Sequence, residues 1–109
     1  METGSNRIKI ADSINELQFA ENNIAVIFAL QKKICIAKSG AELRAFSARC
    51  PHAGGDLSEG ALDQKGNVIC PVHGYRFSLK NGRDTANEGY FLKTFRIKEN
   101  EDGVFIEMI

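Results

Sequence analysis

The chain has 109 residues, with 14 Lys and Arg against 14 Asp and Glu, so it carries no formal net charge at 43% hydrophobic content. That length supports one small core and no second, and balanced charge at a mean hydropathy of −0.23 argues against nucleic acid and membrane as partners. The longest apolar stretch, Ile24 to Leu30, suits one buried strand and falls short of a secretory core or a bilayer span, so the expected setting is the cytoplasm.

Arg7 to Ile10 is the first run with the period-two alternation of a strand. Ser13 to Phe19 holds the one helical signal, a single turn capped by Asp12 or Ser13, with Glu16 at the capping-box position after Ser13. Ile24 to Leu30, Lys33 to Lys38 and Glu42 to Ala48 follow as strands. Gln31-Lys32 and Ser39-Gly40-Ala41 separate them at hairpin lengths, which predicts an antiparallel meander. From Arg49 to Gly66 the alternation lapses into a glycine-containing loop, long enough in a compact domain to be functional. Asn67 to Cys70, Tyr75 to Leu79, Leu92 to Glu99 and Val104 to Met108 resume the strand pattern, with Lys80-Asn81-Gly82 and Glu101-Asp102-Gly103 as turns. The expected fold is an all-β single domain over residues 1–109, an antiparallel framework of about eight short strands with a loop-built tip at roughly 45–82. Phe46, Phe77, Phe91 and Phe95 are its core candidates.

The chain's two His and two Pro, and two of its three Cys, sit in two short boxes, Cys50-Pro51-His52 and Cys70-Pro71-Val72-His73. Each box offers one thiolate and one imidazole, the donors that iron, zinc and copper take from proteins. A structural zinc site usually draws two closely spaced Cys from one arm and two His or two Cys from the other, whereas both arms here are mixed. If two sulfide-bridged irons are bound, a mixed arm gives its Cys to one iron and its His to the other. An odd cysteine count with no export signal disfavours a disulfide framework. Cys35, in the strand-like Lys33-Ile34-Cys35-Ile36-Ala37, reads as sheet packing. Gly54, Gly55 and Gly74 beside the boxes would let backbone N–H groups approach the sulfurs.

These boxes resemble the Rieske [2Fe–2S] family, whose pattern is Cys-x-His, a spacer, then Cys-x-x-His, with Gly54, Gly74 and the Leu79-Lys80-Asn81-Gly82 turn in further agreement. The resemblance implies a β framework holding one [2Fe–2S] cluster per chain at its tip. Cys50 and Cys70 would bind the inner iron, and His52 and His73 the outer iron through their δ nitrogens, with the ε nitrogens near solvent. High-potential relatives carry a disulfide between the positions held here by Gly55 and Val72. They also place Ser and Tyr hydroxyls near the cluster where this chain has Tyr75 and Phe77. Donors to the sulfurs favour the reduced form, so their loss implies a low potential.

A likeness to the ferredoxins of bacterial aromatic-ring dioxygenase systems implies an electron-transfer protein with no catalytic residues of its own. It would take electrons from a flavin reductase and pass them to a terminal oxygenase through a surface of Ala53, Gly54, Val72 and Tyr75. The segment from Cys50 to Gly60 also resembles the small subunit of NADH-dependent nitrite reductase, as does Glu88-Gly89-Tyr90-Phe91, which would make the chain an obligate part of a reductase complex. A zinc-stabilised interaction module is the third alternative.

Overall fold

Alternating apolar residues generate nine antiparallel strands in the computed structural model, which describes residues 7–52 and 54–107. They are β1 (Arg7–Ala11), β2 (Ile24–Ala29), β3 (Lys32–Ser39), β4 (Glu42–Ser47), β5 (Ala61–Leu62), β6 (Asn67–Ile69), β7 (Arg76–Ser78), β8 (Thr94–Asn100) and β9 (Gly103–Glu107). Met108, expected in the last strand, lies outside the described residues. Two sheets result: a large one in the order β1-β9-β8-β4-β3-β2, and a small one in the order β5-β6-β7. The all-β antiparallel expectation therefore holds, and no helix among the described residues is long and apolar enough to cross a membrane.

β3 and β4 are buried on both faces, and their alternation sorts side chains between two cores. Ile34 and Ile36 of β3 and Ala45 of β4 join Phe95, Val104 and Ile106 in the frame's own core. Cys35, Ala37 and Phe46 point the other way, into a second core with Leu57, Val68, Cys50, Cys70 and Phe77. The large sheet is thus a frame that encloses one core and a platform that carries the tip on another.

The chain leaves this frame after β4 and rejoins it at β8, and the two strands pair there through Ala45↔Phe95 and Phe46↔Thr94. The excursion runs further than the tip expected at 45–82, because the return passes through bridges Phe77↔Asp84 and Arg83↔Phe91 before β8 begins. On that return Leu92 takes the inward place, and Phe91 is 59% exposed under the Arg83 guanidinium, so Phe91 is not a core residue. Phe46, Phe77 and Phe95 are.

Two local expectations need correction. Ser13 caps a 3-10 turn at Ile14–Glu16 without a side-chain bond, and the Glu16 carboxylate accepts from the Asp12 N–H instead at 2.8 Å. The loop at 49–66 contains both a second 3-10 turn, Leu57–Glu59, and the short β5.

The β2–β3 hairpin closes over Leu30 and Gln31, with φ of +57° and +62°. Two consecutive left-handed residues are what a tight turn of this hand needs, but side chains other than Asn and Gly pay a steric penalty there. Leu30→Asn with Gln31→Gly is expected to stabilise the protein by about 1–2 kcal/mol. An unchanged urea midpoint would contradict this.

Candidate metal centre

The two boxes fold into loops of the same shape. In the first, the Gly54 N–H donates to the Cys50 carbonyl at 2.8 Å and the Cys50 N–H to the Gly55 carbonyl at 2.8 Å. In the second, the Gly74 N–H donates to the Cys70 carbonyl at 3.0 Å and the Cys70 N–H to the Tyr75 carbonyl at 2.7 Å. Gly54 and Gly74 adopt φ of +73° and +74°, a conformation that β-carbon-bearing residues avoid, and this closes each loop. Their N–H groups are thereby committed to carbonyl oxygens.

Each loop is braced at its base. The first follows β4 and is held by the Leu57 N–H on the Ala48 carbonyl at 2.7 Å, by Asp56 capping Ser58, and by an ion pair from Lys33 on β3 to Asp56. The second is the connection between β6 and β7, spanning the pair Ile69↔Arg76. Asp63 brackets it from below, accepting from the Asn67 N–H and side chain, the Lys65 N–H and Arg76 Nη1.

Partial burial works against the charged form of Asp63, but the bonds from Asn67, Arg76 and Lys65 outweigh it and hold the carboxyl down at about 2. A depressed carboxyl stabilises the fold fully above the ordinary value of 3.8, and that contribution fades as pH falls from there to about 2. Asp63→Asn is therefore expected to lower the urea midpoint at pH 7, with the gap to the parent narrowing toward pH 2. A gap independent of pH would show that the charge is not the source.

Cys50 and Cys70 are each 1% exposed, at the upper edge of the second core. His52 is half-buried. Tyr75 stacks on its ring at 3.8 Å between centroids and 14° between planes, and Tyr90 meets it edge-on at 5.1 Å. His73 is exposed, with its ring 5.3 Å from that of His52. The two imidazoles are thus not equally open: His73 is exposed, whereas His52 is half-buried with its Nδ1 covered. Aromatic cover closes over His52.

Tyr75 is fixed in turn by donating its hydroxyl to Glu88 Oε1 at 2.6 Å, and that bond, with some loss of solvation, pushes the phenol up to about 12. Glu88 and Tyr90 are positioned by Asp84, a buried carboxylate that accepts from both of their N–H groups. Asp84 was not legible as part of the site, because nothing local marks the 84–90 turn as the carrier of a cover for residue 52.

Val72 and Gly55 face each other across the loops. A β carbon on Gly55 would fall 2.5 Å from Val72 Cγ2, 3.4 Å from Val72 Cβ and 3.0 Å from Cys70 Sγ. These two positions are thus neighbours, as the disulfide of high-potential relatives implies, and a side chain at Gly55 would force the Val72 side chain to shift. Phe77 is fully buried below and carries no donor. Ala53 lies outside the described residues. Cys35 packs in the same core as Cys50 and Cys70, and burial first, then Asp56, pushes its thiol up to about 12, which suits an inert packing role.

The donor set fits a two-iron cluster. His52 Nδ1 is buried without a hydrogen-bond partner, a state that costs about 1–3 kcal/mol unless another acceptor of its lone pair is present, and a metal ion is one. Two thiolates and two imidazoles shared between two irons ask for only two protein donors each.

A family model described as the Rieske [2Fe–2S] domain matches residues 9–94. The ferredoxin subunit of 3-phenylpropionate/cinnamic acid dioxygenase from Escherichia coli K12 is 38% identical over 50 residues, 46% of this chain and 47% of the relative. The chain thus spans about half the length of the curated relatives it matches. The ferredoxin of carbazole 1,9a-dioxygenase from Nocardioides aromaticivorans IC177 superposes with a TM-score of 0.77 over 95% of this chain and 99% of that one, at 16% identity. A complex of reduced oxygenase and oxidised ferredoxin in carbazole 1,9a-dioxygenase gives 0.76 over 94% and 93% at 22% identity. A putative nitrite reductase small subunit gives 0.75 over 92% and 96% at 21% identity. These solved structures share the fold. With the family model covering most of its length, the chain belongs to the Rieske [2Fe–2S] domain family and takes one such cluster.

Proposed function

We propose that this chain is a one-electron carrier of low potential, passing electrons from a flavin reductase to an oxygenase-type acceptor without catalysis of its own. Cys50 and Cys70 would hold one iron of the cluster, and His52 and His73 the other. The observation that carries this is the pairing of a buried, unpartnered His52 Nδ1 with the neighbouring exposed His73, above two buried thiols on equally closed loops. When bound, the cluster supplies a one-electron couple. His73 is the more exposed imidazole, while Tyr75 and Tyr90 pack on the ring of His52. The similarity to dioxygenase ferredoxin subunits, and to a ferredoxin solved in complex with its oxygenase, supports an oxygenase as acceptor.

The low potential is supported by the hydroxyls around the site. Phe77 has none, and Tyr75 spends its own on Glu88, so neither helps to stabilise added negative charge on the sulfurs. A midpoint near the lower end of the range of about −150 to +300 mV is expected. Potentiometry followed by EPR checks it, and a value well above zero overturns the low-potential part.

The deciding experiment is an anaerobic preparation analysed for iron and zinc, with visible absorption and low-temperature EPR after dithionite reduction. A reddish-brown protein with a Rieske-type signal is expected. A colourless protein holding zinc, silent by EPR even after cluster reconstitution, would sink the carrier. Co-purification with a large reductase at fixed stoichiometry would make it a subunit of that complex instead.

A further inference from the structure

A cleft of about 560 Å³ opens beside the first cluster loop, floored by Ala48 and Phe95. Lys32, Lys33, Arg49 and Lys93 line it against one carboxylate, Asp56, giving the cleft a net charge of +3 in a chain whose formal charge is zero. Lys33 is neutralised locally by its pair with Asp56. Lys32, Arg49 and Lys93 are all exposed and form no ion pair with a described residue. Three cations gathered on one concave surface repel one another, and an anionic occupant relieves that repulsion.

The cleft's position gives it a role. The two loops share one shape, so Gly55 and Tyr75 hold corresponding places, each giving its carbonyl to the loop cysteine. Tyr75 closes its flank by covering His52. Gly55 has no side chain with which to cover its flank, and it forms part of the cleft wall while a β carbon there would lie 2.5 Å from Val72 Cγ2 and 3.0 Å from Cys70 Sγ. An occupant of the cleft is therefore separated from that thiolate by a single glycine.

We propose that this cleft is the docking site for an acidic surface segment of a redox partner protein, seated on Lys32, Arg49 and Lys93 and steered there by charge. The inference rests on the electron-carrier reading for its purpose, and on charge complementarity and the Gly55 wall for its location. Exposed Val72 of the second loop stands against Gly55 of the cleft wall, its Cγ2 2.5 Å from where a β carbon on Gly55 would lie.

Two measurements test it. Oxidised holoprotein is titrated calorimetrically with poly-L-glutamate and, separately, with inorganic phosphate at low and high salt. Dithionite-reduced holoprotein is oxidised in a stopped-flow instrument by hexacyanoferrate(III), an anion, and by hexaammineruthenium(III), a cation. The cleft variant Lys32→Gln/Arg49→Gln/Lys93→Gln is compared with Lys9→Gln/Lys80→Gln/Lys98→Gln, which removes the same charge outside the cleft. Poly-L-glutamate is expected to bind the parent in a salt-sensitive way, and the anionic oxidant to react faster at low salt. Both effects should fall about tenfold in the cleft variant and persist in the control, the scale on which local charge moves association. Equal losses in both variants, or no salt dependence in the parent, would overturn the proposal. Tight phosphate binding with indifference to poly-L-glutamate would overturn it in favour of a small-anion pocket. Poly-L-glutamate binding does not require electron transfer, so an EPR-silent protein that still binds it would fail the carrier reading and keep the cleft.

Discussion

Cys70→Ser is expected to yield a folded but colourless protein, with iron falling from two per cluster site toward none and the Rieske-type EPR signal absent. Cys50→Ser, His52→Ala and His73→Ala should do the same, the first two most completely because those donors are buried or covered. Folding should survive, because the frame's core of Ile34, Ile36, Phe95, Val104 and Ile106 lies apart from the loops. Cys35→Ser is the discriminating control. It sits in the same core as the two loop cysteines, and a hydroxyl there without a partner costs about 1–3 kcal/mol. It should therefore lower the urea midpoint and leave the iron content unchanged. Iron lost in Cys35→Ser and kept in Cys70→Ser would overturn the ligand assignment.

Phe46→Ala is expected to be the most damaging change away from the ligands, at about 3–5 kcal/mol. The Phe46 side chain is fully buried in the core beneath the loops, and its backbone pairs with Thr94 where the chain leaves and rejoins the frame. Domains of this size have about 5–15 kcal/mol in total, so the variant should be marginal at room temperature. Its cluster should also be lost faster to an iron chelator, since the cavity lies under both cysteines. Phe91→Ala, at a site 59% exposed, should stay within about 0.5 kcal/mol of the parent. Equal urea midpoints for the two variants would contradict the division between a buried Phe46 and a surface Phe91.

The frame was legible because runs such as Ile24 to Leu30 and Lys33 to Lys38 carry their own β-branched alternation and short turns. The four proposed ligands were legible for a different reason: rare residue types with metal chemistry fall at fixed local spacings. What the sequence did not display depends on chain segments meeting in space. β5 is two residues long and takes its strand geometry from β6. Phe91 and Leu92 are equally apolar neighbours, and only the path of the return decides which turns inward. The aromatic cover over His52 joins residues 52, 75 and 90 through a turn organised by Asp84, and the basic cleft draws on β3, the first loop and the approach to β8.

The narrow crossing at Ala45↔Phe95 and Phe46↔Thr94 has a consequence for how such a protein can be changed over time. The excursion that carries both boxes begins and ends on adjacent strands, so its two ends meet whatever length of chain runs between them. Insertions or exchanges within it leave the closure geometry of the frame untouched. The excursion is therefore portable in principle, but its footing is not: Ile24, Cys35, Ala37 and Phe46 belong to the frame and fill the floor beneath the loops. A host scaffold that receives residues 48–93 is expected to bind iron only if it also presents that apolar platform.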